Sequence, residues 1–174
     1  MAQAVDHLAS LGHERIVHVD GLRAPGAADR RRGYHAAMRR HGLSDRAQVI
    51  SGGPSEEDGV AAAESMLVDG KLPTAVLCYN DRSAVGFLDA MARAGVAVPA
   101  DLSVVGYDDS QLARLSHVGL TSVAQDVDRM ATLAVERAVA RLDSADQEQT
   151  DSVLPPHLVV RRTTAPPRPN KDSQ

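Results

Sequence analysis

In the segment LSVVGYDDS, Leu102 to Ser110, the β-branched residues Val104 and Val105 lead directly into the carboxylates Asp108 and Asp109. A run of that kind reads as buried strand, and acids at its end lie where the chain leaves the sheet. Comparable strand ends occur earlier, where RIVHVDG ends at Asp20 and TAVLCYND at Tyr79, Asn80 and Asp81. A carboxylate accepts from vicinal hydroxyls, an amide both donates and accepts, and a guanidinium donates in a fixed fork. Asp108, Asn80 and Arg30 supply one of each, a set suited to reversible binding of a polar, hydroxylated small molecule. The competing use is structural, as caps of the helices that follow, and for that Asp81 and Asp109 stand nearer their helices.

Other chemistries fit less well. Asp20, Asp81, Asp108 and Asp109 could offer oxygens to a metal, but no His or Cys falls at ligand spacing beside them. The seven histidines are scattered, and His7, His35 and His41 read as helix-surface residues. Neither a metal site nor a cofactor is expected. No Gly-x-Ser-x-Gly elbow occurs, and Cys78 lies inside an apolar strand as a small buried hydrophobe. SGGPS lacks the Lys of a phosphate loop. AMARAGVAVPADLSV imitates a helix-turn-helix turn, but Pro99 and the strand after it leave no recognition helix. No catalysis is expected.

The elements needed to position these residues are legible as alternation. Helical patterns over 3–11, 30–41, 55–70, 84–94 and 127–142 alternate with strands RIVHVDG, AQVISGG, TAVLCYND, LSVVGYDD and GLTSVAQ, and HLVVR adds a last strand. Gly12, Gly42 and Gly95 stop helices, and Ser55 with Asp58 reads as a capping box. Such alternation predicts an α/β fold with a parallel sheet covered on both faces, whose ligand crevice lies beyond the carboxyl ends of the strands. Asp20, Pro54, Tyr79 and Tyr107 then stand where they can wall that crevice.

The chain has 174 residues, 43% hydrophobic and 24% charged, enough for a real core. Its net charge of −4 lacks the basic footprint of a DNA-binding domain, and 2% aromatic content without Trp argues against base stacking. A single cysteine excludes a disulfide framework. With no apolar signal core and no run of membrane-spanning length, a cytoplasmic location is expected.

Taken in order, HLASLGHERIVHVDG, RRRGYHAAM, LPTAVLCYNDRSAVGFLDAMARAGVAVPADLSVVGYDDS, LTSVAQ and LPPHLVVRRTT carry a family likeness. From about residue 3 to 165 the chain resembles the effector-binding domain of the lactose-repressor/galactose-repressor regulators, a periplasmic-binding-protein-like, three-layer α/β/α fold of two lobes. The resemblance implies that Arg30, ahead of Gly33 and Tyr34, contacts effector, as do Asn80 and Asp108, with Gln125 beside the pocket. Pro54 departs from it, standing where several members place a stacking aromatic; Gly119 replaces a usual proline. It further implies a homodimer, with Val85, Leu88 and Ala92 on a dimer face or, equally, in the core. Operator DNA would be met only through a helix-turn-helix domain outside this chain.

On this likeness residues 1–12 form a helix of an otherwise missing first lobe and 13–122 the effector-binding lobe. Residues 123–150 cross over, 151–165 return as a strand, and 166–174 form a disordered tail. The faces Val5–Leu8 and Met130–Leu133–Ala134 would then lack their sheet, as expected of a fragment of a longer regulator or a poorly behaved remnant. The implied function is effector sensing, of a sugar or related polar metabolite, in a repressor. The alternative is a sugar-binding module of transport or chemotaxis.

Overall fold

The computed structural model describes residues 1–143 and 152–168; most of the linker read from the sequence, and the end of the tail, lie outside these. Six strands form one sheet in the order β2-β1-β3-β4-β5-β6. They are β1 (Ile16–Val19), β2 (Gln48–Ile50), β3 (Ala75–Leu77), β4 (Ser103–Asp108), β5 (Thr121–Ala124) and β6 (His157–Val159). The first five run parallel, and β6 pairs antiparallel with β5. Helices α1 (Ala2–Ser10), α2 (Ala27–Arg40), α3 (Glu56–Asp69), α4 (Asp81–Arg93), α5 (Gln111–Arg114) and α6 (Val127–Asp143) link them.

Because side chains alternate across a strand, each strand feeds two cores. Ile16, Leu77, Val105 and Val123 face α1 and α2, packing on Tyr34, Ala37 and Met38. Val17, Val19, Val76 and Val104 face α3 and α4, packing on Met66, Phe87 and Met91. Helices α3 and α4 approach at two glycines, since a methyl at Gly59 would meet the Ser83 carbonyl and one at Gly86 the Glu56 carbonyl. On the other face the Tyr34 hydroxyl donates to the Ile16 carbonyl at 2.7 Å and accepts from the Gln48 amide at 2.8 Å, tying α2 to two strands.

The first helix overturns one expectation. Ala4, Val5 and Leu8 are fully buried in the same core as Ile16, Tyr34 and Met38, so α1 belongs to this lobe. The physical reason is the turn at Gly12, which returns the chain at once into β1 and lays the helix on the sheet it precedes. Helix α6 differs: Val127, Met130, Val135 and Val139 are exposed. A further correction concerns the end of the chain. Residues 160–168 run as a strap bonded to the sheet, with Thr163 exchanging backbone and hydroxyl contacts with Val104 and Thr121, and Arg168 pairing with Asp101.

The assignment of α1 is testable. Leu8→Ala is expected to lower the unfolding free energy by about 2–5 kcal/mol, the cost of truncating a packed core leucine. Urea denaturation measures it; a loss below about 0.5 kcal/mol, usual for a surface change, would put α1 off the sheet.

Candidate functional site

Loop and helix geometry deliver the first cationic group. A methyl at Gly21 would collide with the Tyr79 ring, so the segment after β1 can close over that ring only with glycine there. The Tyr79 hydroxyl donates to the Pro25 carbonyl at 2.7 Å. Gly26, with φ of 77°, then starts α2. The helix begins three residues ahead of the expected position, which puts Arg30 in its second turn, pointing over the sheet edge.

Arg30 lies between two aromatic rings, its guanidinium carbon 4.3 Å from the Tyr79 centroid and 3.9 Å from that of Tyr107. It donates to the Tyr79 carbonyl at 2.7 Å and to Asp108 Oδ1 at 3.2 Å. Gln125, directly after β5, donates to the same Oδ1 at 2.8 Å. Asp108 Oδ2 takes no protein donor among the described residues and is the acceptor left for a visitor. Burial pushes the Asp108 carboxyl above the usual carboxylate range, against the opposing pull of Arg30 and Gln125.

Asn80 stands at the rim with its amide engaged. Its Oδ1 accepts from the Ser83 amide at 2.8 Å and its Nδ2 donates to the Pro54 carbonyl at 3.0 Å. Asn80 is therefore the cap of α4, not Asp81 as the sequence suggests. Asp81 instead points inward, fully buried, accepting from Ser122 Oγ and from the Ser110 amide, each at 2.6 Å. Asp109 caps nothing either; it pairs with Arg114 at 2.9 Å and with Arg161, on the strap, at 2.6 Å. Asp20 is walled off as well: it is buried and pairs with Arg31 at 2.5 Å, so it anchors α2 rather than facing the crevice.

Two adjacent residues here hold left-handed backbone, Asp108 with φ of 104° and Asp109 with φ of 49°. Each costs on the order of 1–3 kcal/mol outside glycine and persists only where the surroundings hold it. Within the described residues there is no cluster of three or more metal-ligating side chains, and no helix is long and apolar enough to cross a membrane.

A parallel α/β lobe with a charge-balanced polar crevice at its carboxyl edge is the architecture of periplasmic binding proteins, and residues 5–164 match the periplasmic binding protein-like domain family. The chain belongs to that family, and among the proteins it is similar to are transcriptional regulators of the LacI and GalR type. It is 33% identical to the regulator GalR of Escherichia coli over 166 residues, 94% of this chain and 48% of that protein. It is 34% identical to the lactose operon repressor of the same organism, over 94% of this chain and 45% of that one. Among solved structures, a LacI transcriptional regulator from a Rhodococcus species superposes with a TM-score of 0.90 at 52% identity, covering 95% of this chain and 61% of that one. A LacI family regulator from Enterococcus faecium with bound ribose gives 0.87 at 26% identity, over 95% and 62%. The chain thus spans about half the length of the curated relatives it matches. Those relatives regulate transcription; they are not enzymes.

Arg30, Tyr79, Tyr107, Asp108 and Gln125 come together, while Asn80 and Pro54 meet each other at the rim. Sequence reasoning missed Arg31, Ser122 and Arg161. Arg31 had a signal in the run Arg30–Arg32, but nothing in spacing links Asp81 to Ser122 or Asp109 to Arg161.

Beneath Asp20 lies His18, fully buried, its Nδ1 bonded to the Leu77 carbonyl at 3.0 Å. Burial lowers its pKa to about 4 from 6.5, with Arg31 adding and Asp20 opposing. Below pH 6.5 the unfolded chain takes up a proton that the folded chain refuses. His18 therefore favours folding fully above that pH, and its contribution falls as pH drops toward 4. The whole change is worth roughly 3 kcal/mol. Urea denaturation at pH 7 and 4.5 should show a steeper loss for the wild type than for His18→Gln; equal slopes would mean that His18 is not buried neutral.

Proposed function

We propose that this crevice is the effector site of a LacI-type transcriptional regulator, most simply a repressor, and that its ligand is a neutral hydroxylated molecule of the sugar class. The observation that carries the reading is the Asp108 carboxylate, fixed through Oδ1 by Arg30 and Gln125 and open at Oδ2. Arg30 is matched by Asp108 and Arg31 by Asp20, which favours a neutral ligand over an ionic one beside them. A fixed carboxylate between donors is suited to paired hydroxyls. The tyrosine-stacked guanidinium gives a rigid floor. Ribose in the Enterococcus faecium relative is chemistry of the same kind.

In this reading Asn80 contributes from the rim and Pro54 shapes it. The exposed apolar side of α6 packs on a first lobe carried elsewhere in the polypeptide, so ligand closes two lobes on each other. Val85, Leu88 and Ala92 line a surface groove of about 440 Å³ with Val96, Val98 and Val118, and this face serves as the homodimer contact. Dimer geometry then passes ligand state to paired helix-turn-helix heads on operator DNA. The protein works in the cytoplasm.

A thermal-shift panel of D-ribose, D-galactose, lactose and adenosine tests the site. A ligand at 100 times its dissociation constant adds about 2.7 kcal/mol, raising Tm by roughly 5–10 °C. The expected result is a shift from a neutral sugar that Asp108→Ala abolishes while the apo Tm stays within a few degrees. A shift that survives in folded Asp108→Ala would place binding elsewhere.

A further inference from the structure

Asp108 can present a free oxygen only if the chain turns sharply after it, and the turn runs through two left-handed non-glycine residues. Something must hold them. Asp108 is still in the β4–β5 ladder, opposite Ala124, but Asp109 and Ser110 have left it. The Asp109 amide donates to Ser122 Oγ at 3.1 Å, Ser122 Oγ donates to Asp81 Oδ1 at 2.6 Å, and the Ser110 amide donates to Asp81 Oδ2 at 2.6 Å. One buried carboxylate thus collects, directly or through a single hydroxyl, the two backbone amides that follow Asp108.

Asp81 reaches this place because β4 yields to it. A methyl at Gly106 would collide with Asp81 Oδ1, so the glycine of VVGYDD is the opening through which the carboxylate enters. No cation pairs with Asp81 among the described salt bridges, although two arginines stand on neighbouring Asp109. A buried carboxylate satisfied by one hydroxyl and one amide is an expensive choice for a helix start that Asn80 already caps.

We propose that Asp81 is a positioning residue for effector binding, holding the Asp109–Ser110 amides so that the left-handed turn aims the Asp108 carboxylate at Arg30, Gln125 and the ligand. The proposal rests on the effector-site reading for its consequence in binding, and on the hydrogen-bond chain alone for its consequence in the free protein.

The test separates the two. In the ligand-free full chain, the side-chain amide of Gln125, assigned with Gln125→Ala in ¹H–¹⁵N spectra, reports whether Asp108 still accepts from it. Asp81→Ala is expected to move that signal to where Asp108→Ala moves it. Asp81→Asn, which keeps an acceptor for the Ser110 amide and reverses the Ser122 bond by donating to its Oγ, is expected to restore it. In calorimetric titrations with D-ribose, D-galactose and lactose, Asp81→Ala should weaken any sugar the wild type binds at least tenfold, about 1.4 kcal/mol. Asp81→Asn should stay within about threefold, a rescue that general stabilisation by the acid would not require. Should Asp81→Ala not fold, Ser122→Ala removes the hydroxyl that bridges the Asp109 amide to Asp81, leaves the Ser110–Asp81 bond in place, and must move the same signal. A folded Asp81→Ala or Ser122→Ala with the Gln125 amide unmoved overturns the proposal. A wild type that binds none of the sugars counts against the sugar-site reading, and the Gln125 signal still decides the role of Asp81.

Discussion

The pairing of Asp108 with Arg30 is the interaction around which the lobe is organised. A partly buried carboxylate is tolerable only if its charge is matched and its oxygens are occupied or wetted. Arg30 matches the charge, but an arginine spans that distance only if α2 starts over the sheet edge, which the Gly21–Tyr79 closure and the Asp20–Arg31 pair bring about. Gln125 reaches the same oxygen only because β5 lies beside β4 in parallel register, ending one residue before it. Three separated segments thus converge on one atom, and the strand order makes them neighbours.

Beneath that convergence the same sheet edge sorts its acids by partner. Asp20 and Asp109 are buried with arginines, Asp81 with a hydroxyl and an amide, and Asp108 alone keeps an exposed oxygen. Four carboxylates of one type, at matching strand ends, therefore differ in use. Acids buried with their partners lock elements together, whereas an acid that keeps one oxygen exposed can exchange a solvent contact for a ligand hydroxyl at small cost.

Strand identity and the crevice edge were legible in the sequence because β-branched runs ending in polar residues are a local signal. Arg30 and Asp108 followed from side-chain chemistry and family likeness together, and Gln125 from the likeness alone. The places where the reading failed depend on direction rather than pattern. Val5–Leu8 and Met130–Leu133 both read as apolar helix faces, and the pattern does not say that α1, turning at Gly12, folds back on this sheet while α6 leaves its valines outside. Proximity likewise suggested Asp81 as the cap, but capping needs extended backbone at the cap itself, and Asn80 has it, with φ of −145° and ψ of 179°.

That swap has a structural consequence. With Asn80 capping the helix, the next carboxylate is released to face the sheet, where Gly106 admits it and the amides after Asp108 meet it. The Asn-Asp pair and the Gly-Tyr-Asp-Asp segment, which look like independent signatures along the chain, are thereby two halves of one hydrogen-bonded assembly. The half that touches solvent can carry recognition because the other half, buried and out of reach, fixes its backbone.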